Sequence, residues 1–114
     1  MPEAEAAMFR ADHLSVDARE EGIVSQTWAI FDITRKHLEA EGLTLANIAH
    51  LTVFFTDLRD FPGYHRVRLS IFPHDPPPAT VVEVSELLPT RETLLEIDVI
   101  ASRQLPKNLM STPD

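Results

Sequence analysis

Between residues 24 and 40 apolar side chains recur at the spacing of one helical face: Val24, Trp28, Phe31 and Leu38, widened by Ile30 and Ile33. Asp32 with Lys36, and Arg35 with Glu39, sit four apart for ion pairs on the solvent side. Gly42 follows where a left-handed helix terminus calls for a residue without Cβ. The period then changes. Thr44 to Asn47 reads as a short turn, and residues 48–56 as a strand ended by Asp57. Its centre, Leu51-Thr52-Val53-Phe54-Phe55, is so continuously apolar, β-branched and aromatic that it predicts burial on both faces. Asp60 is placed to cap a second helix running to about Phe72, with Phe61, Tyr64, Val67 and Ile71 on one stripe. Pro73 and Pro76-Pro77-Pro78 stop that helix, because proline lacks the amide donor and restricts its predecessor. Two strands follow, at about residues 80–85 and 94–102. Ahead of the first helix, residues 6–16 alternate weakly around Met8, Phe9 and Leu14 as a strand, and residues 17–22 read as a charged connection.

The order strand, helix, strand, helix, strand, strand predicts an α+β fold with a mixed sheet and both helices packed on one face. The other face of the sheet then needs a cover, and in 114 residues the simplest cover is another copy of the chain. Residues 1–114 form a single domain, too short for two cores, with residues 1–5 and 106–114 as frayed ends.

Composition narrows the chemistry. Zero cysteines exclude a disulfide framework, a thiolate nucleophile and a zinc–thiolate site. A formal charge of −8 argues against nucleic-acid binding, since phosphate recognition needs clustered Lys and Arg. The nearest approach to a basic patch is His65-Arg66-Val67-Arg68. His13, His37, His50 and His74 lack metal-ligand spacing, so neither metal nor cofactor is expected. No apolar run reaches membrane-spanning length, and the acidic start is unlike a secretory signal; a cytoplasmic protein without membrane contact is expected.

Several landmarks stand in a specific order and spacing over residues 25–102. They are Gln26 opening the first helix, Glu41-Gly42, Val53-Phe54-Phe55-Thr56-Asp57-Leu58, Asp60-Phe61 and Phe72. Residues 78–84, Leu87 with Pro89, and Glu96-Ile97-Asp98-Val99-Ile100-Ala101 complete them. Together they resemble the RidA/YjgF/UK114 family, also labelled endoribonuclease L-PSP. The resemblance implies the chorismate-mutase-like, YjgF-like fold and a homotrimer with clefts shared between subunits. Its best-known members hydrolyse reactive enamines and imines. In those deaminases an arginine holds the substrate carboxylate, a glutamate positions the hydrolytic water, and a Ser-Gly turn and an asparagine line the cleft. Carried onto this chain, the glutamate is Glu96, the candidate catalytic residue, and the asparagine position is His65. The turn has only Ser15-Val16, without the glycine, and the opening region is shorter than the family norm, so one strand of the usual hairpin is expected to be missing. The arginine position is Ala79, with Val81 on the same strand; Ser15, His65, Ala79 and Val81 are the candidate ligand contacts. Alanine cannot grip a carboxylate, and loss of a buried bidentate contact costs on the order of several kcal/mol. Arg91, Arg66 and Arg68 lie elsewhere, none at the matching place.

Each candidate has a plainer reading. Alternation puts Leu95, Ile97 and Val99 on one face and Glu96, Asp98 and Ile100 on the other, so Glu96 is equally a carboxylate facing solvent or a neighbouring subunit. His65 is equally an exposed helix histidine, Glu83 reads as a structural pair, and Trp28 and the phenylalanines as core or interface packing. Three functions remain open. The first is a small-molecule-binding trimer that hydrolyses an imine, enamine or related C–N compound without arginine-mediated capture. The second is a non-catalytic ligand sensor or partner-binding trimer. The third is an endoribonuclease, which no residue pattern here supports independently.

Overall fold

The structure is a computed structural model describing residues 16–103, with side chains from residue 19. The strand expected at 6–16, Ser15 and the tail beyond 103 therefore lie outside the described residues. Helix α1 spans Val16–Ala40, strand β1 Ile48–Phe55, helix α2 Phe61–Ile71, strand β2 Ala79–Glu83 and strand β3 Leu95–Ala101. Single 3₁₀ turns, Leu45–Asn47 and Leu58–Asp60, precede β1 and α2. The sheet runs β2-β1-β3, with β1 parallel to β2 and antiparallel to β3. Both helices cover one face, as the element order implied.

Helix α1 is longer than its periodicity suggested. Residues 17–22 are helical rather than a connection, held by ion pairs to the start of α2: Arg19 with Asp60 and Glu20 with Arg66. Gln26 is accordingly ten residues inside the helix, not at its opening. The buried stripe is also rotated from the expected one. It runs through Ile23, Thr27, Phe31 and Leu38, while Trp28 stays 47% exposed. A buried threonine is tolerated because its hydroxyl donates to the Ile23 carbonyl at 2.7 Å. Arg35 pairs with Glu39 and Lys36 with Asp32 as the spacing predicted, and Arg35 also reaches Asp32 one turn back. Gly42 takes φ +75°, and Leu43 N–H reaches back to the Leu38 carbonyl while Gly42 N–H reaches Glu39, the Schellman pattern.

Within the single chain strand β1 is fully buried on one face, and the second face, also expected to be buried, is half-buried. Leu51, Val53 and Phe55 are fully enclosed, while His50, Thr52 and Phe54 remain half-buried. The helix-facing set packs against Ile23, Phe31, Tyr64, Leu94 and Leu95 in one cluster. Phe55 and Tyr64 meet edge to face at 5.5 Å. The apolar run is continuous because the second face, open in the single chain, also carries large residues.

Asp60 precedes α2 but its side chain makes no capping bond, contrary to expectation, because both oxygens are taken by Arg19. Asp57 caps the preceding turn instead, accepting from Arg59 N–H at 2.9 Å. The Arg59 guanidinium, and after it that backbone bond, hold its carboxyl at about 2. Glu83 is structural, as read: it accepts from Leu58 N–H at 2.8 Å.

Candidate ligand site at the head of strand β2

Strand β2 is exposed at all five positions. Register decides which way each residue faces, because paired residues share a side of the sheet. Ala79 and Val81 stand opposite Leu51 and Val53, on the helix side; Thr80 and Val82 stand opposite Thr52 and Phe54, on the open side. On the far edge, Glu96 is the partner of Phe54 and Asp98 of Thr52. The open face therefore carries a cross-strand row of Val82, Phe54 and Glu96, apolar with one carboxylate at its end. Glu96 is exposed and lies two strands from Ala79, on the opposite side of the sheet. A single chain does not bring these two positions to one ligand.

Helix α2 sets the other half of the site. Tyr64, His65 and Arg68 project from adjoining turns, with Tyr64 and Arg68 four apart on one face. His65 is half-buried, stacked on Phe61 at 5.3 Å and 17°. Its Nδ1 lies 3.3 Å from an Arg68 terminal nitrogen. Guanidinium has donors only, so this bond forms when His65 Nδ1 carries no proton and acts as acceptor. Arg68 reaches on to the Pro77 carbonyl at 3.4 Å, two residues before Ala79. Through Arg68 the structure links His65 to Pro77, two residues before Ala79, and leaves Glu96 apart on the other face of the sheet.

Two polar atoms in this group have no hydrogen-bond partner although buried: Tyr64 Oη and Arg68 Nε. Burial pushes the Tyr64 phenol above its ordinary range, and the nearby Arg68 charge only partly opposes that shift. The sequence reading set Arg68 aside as lying away from the matching place and put Tyr64 on the packing stripe of the helix. The available signal was their i, i+4 spacing around His65, but an unpaired buried atom is invisible in a sequence.

A separate groove of about 670 Å³ runs between the second half of α1 and the free edge of β3. Ile30, Ile33, His37, Ile97 and Val99 are among its walls, and none of the predicted site residues lines it. Among the described residues no group of His, Asp or Glu is arranged to hold a metal ion, and no helix is long and apolar enough to cross a membrane.

The family model described as endoribonuclease L-PSP matches residues 9–103. A RutC family protein of Saccharolobus solfataricus is 34% identical over 84% of this chain and 79% of its own length. Another from Pyrococcus horikoshii is 29% identical over 85% and 79%. Among solved structures, the YjgF gene product of E. coli superposes with a TM-score of 0.64 at 28% identity, covering 72% of this chain and 65% of that one. E. coli TdcF, solved with bound serine, matches with the same TM-score, identity and coverage. The chain thus spans just under two thirds of those two structures. With the match running through β1, α2, β2 and β3, the protein belongs to the RidA/YjgF/UK114 family, the endoribonuclease L-PSP family.

Proposed function

We propose that this protein is a homotrimer that binds a small organic molecule in clefts between subunits and hydrolyses an imine, enamine or related C–N compound there. The observation carrying this reading is the row of exposed Val82, half-buried Phe54 and exposed Glu96 on the uncovered sheet face. Large apolar residues beside the Glu96 carboxylate, with Asp98 next along the same face of β3, favour cover by a like surface with Glu96 retained at the seam. Serine bound to the related E. coli TdcF adds support for a small ligand. In the reaction Glu96 accepts a proton from water as the oxygen attacks the C=N carbon. The nitrogen takes up protons and leaves as ammonia, and the carbonyl compound remains.

The test is to supply 2-iminobutyrate generated in situ and follow its loss, alongside a solution mass. Turnover by a trimer, reduced at least tenfold in Glu96→Ala with an unchanged melting temperature, is the expected result. Turnover indifferent to Glu96→Ala, or a monodisperse monomer, overturns the reading.

Ala79 favours a second reading, a ligand-holding trimer without turnover. It predicts no loss of any imine supplied, with ligand-dependent thermal stabilisation still present.

A further inference from the structure

We infer that His65 is a proton-operated latch on the entry to strand β2. Neutral, it braces Arg68 so that helix α2 grips the Pro77 carbonyl; protonated, it releases that grip. The device needs no ligand and is independent of the cleft reading above.

The run Pro76-Pro77-Pro78 has no amide donors, so carbonyl oxygens are its only backbone handles. Among the described residues two of them carry bonds. The Pro78 carbonyl accepts from Leu51 N–H of β1 at 3.0 Å, and the carbonyl of buried Pro77 accepts from a terminal nitrogen of Arg68 at 3.4 Å. The Arg68 bond is the one that ties α2 to this run among the described residues. The other terminal nitrogen of the same guanidinium is braced by His65 Nδ1 at 3.3 Å. Both bonds lie at the long end of hydrogen-bond range, so the arrangement is easily tipped.

A guanidinium only donates, so the brace exists only while Nδ1 is bare. Protonation turns both ring nitrogens into donors and sets a positive charge beside Arg68. One event thus exchanges an acceptor for a like charge. Phe61 decides which partner moves. His65 stacks on that ring at 5.3 Å and 17°, and an aromatic face attracts a cation, so the imidazolium stays and Arg68 withdraws. The surrounding charges are engaged elsewhere. Arg66 is paired with Glu20 of α1, Asp60 with Arg19 of α1, and Asp57 with Arg59, while Glu83 of β2 holds the Leu58 amide. His74 and Asp75, in the turn before the prolines, are exposed and bond to neither His65 nor Arg68. Burial pushes the Tyr64 phenol up, so it stays uncharged where imidazoles titrate.

The experiment is an NMR titration of the intact protein from about pH 8 to about pH 5, the span in which an imidazole changes charge. It follows the His65 ring, the Pro77 carbonyl carbon and exchange of the Leu51 amide corrected for its intrinsic pH dependence. In wild type the Pro77 carbonyl should shift with the same midpoint as the His65 ring. Leu51 exchange should quicken about threefold to tenfold on the acid side, as for one lost hydrogen bond. His65→Asn, whose side-chain oxygen stands where Nδ1 does and takes no proton, should make both signals flat. His65→Lys should show the acid-side Pro77 shift already at about pH 8, because lysine is charged there. Arg68→Met should leave the His65 ring titrating while the Pro77 carbonyl stays fixed, and melting temperatures check that each variant folds. A Pro77 carbonyl that stays still while the wild-type His65 ring titrates overturns the latch, a result that needs no variant. A shift that persists in His65→Asn or in Arg68→Met overturns it as well.

Discussion

Arg19 closes on Asp60 with two parallel bonds, Nε to Oδ1 at 2.9 Å and a terminal nitrogen to Oδ2 at 2.7 Å, locking the first turns of α1 to the start of α2. Asp60 is 5% exposed and Arg19 27%. Such a pair contributes through geometry, because removing one partner strands the other charge in a dry place. Arg19→Met should therefore destabilise the fold by about 2–4 kcal/mol in urea unfolding, and Arg19→Met with Asp60→Leu should recover at least half of that loss. A double variant no more stable than Arg19→Met would show the pair is not the cause.

Gln26 makes a comparable link in neutral form. Its Nε2 donates to the Glu92 carbonyl and its Oε1 accepts from the buried Leu94 N–H, both at 3.0 Å, pinning the chain as it enters β3. Gln26→Leu preserves volume and deletes both bonds, leaving a buried amide without an acceptor. The expected cost is about 2–3 kcal/mol, read as a lowered denaturation midpoint with an unchanged denaturant slope. A loss below about 0.5 kcal/mol would contradict this role.

The helices meet at Gly63. A Cβ there would lie 2.5 Å from Ile23 Cγ2, on a β-branched side chain with little freedom to withdraw. Gly63→Ala raises intrinsic helix propensity, so an exposed site would gain stability. Here overpacking should win by roughly 1–3 kcal/mol, and Gly63→Ala combined with Ile23→Val, which keeps Cγ2 but loses Cδ1 and permits repacking, should be less than additive. Thermal melts of the three variants check this.

Asp57 gives the chain an acid-sensitive joint. Its folded carboxyl, at about 2, is below the ordinary 3.8, so the folded state holds fewer protons between those values than the unfolded one. Its stabilisation is thus complete above about pH 4 and disappears as pH falls through about 2. Asp57→Ala should cost roughly 1 kcal/mol at neutral pH, the usual value of a lost cap, and wild type and variant should converge at pH 2. Parallel curves across that window would refute the assignment.

Local patterning determined several features on its own: the left-handed Gly42, the stop at Pro73 and the alternation of β3 each depend on residues adjacent in sequence, so they are legible there, whereas the helical start at 17–22 rests on pairs with Asp60 and Arg66 and was not. The mixed sheet followed from element order, and the family from landmark spacing. Whatever depended on a distant partner was not legible. Trp28 looked apolar and went outward, while Thr27 and Gln26 looked polar and went inward, because the bonds that satisfy them arise only once the chain is folded. Asp60 looked like a cap until Arg19, forty-one residues away, took both its oxygens. The candidate site divides in the same way. Glu96, His65 and Ala79 were marked by position in the chain. That Glu96 faces away from Ala79, and that Arg68 reaches the Pro77 carbonyl from the helix, was decided by strand register and helix packing. Those two set direction in space, which a linear pattern does not encode.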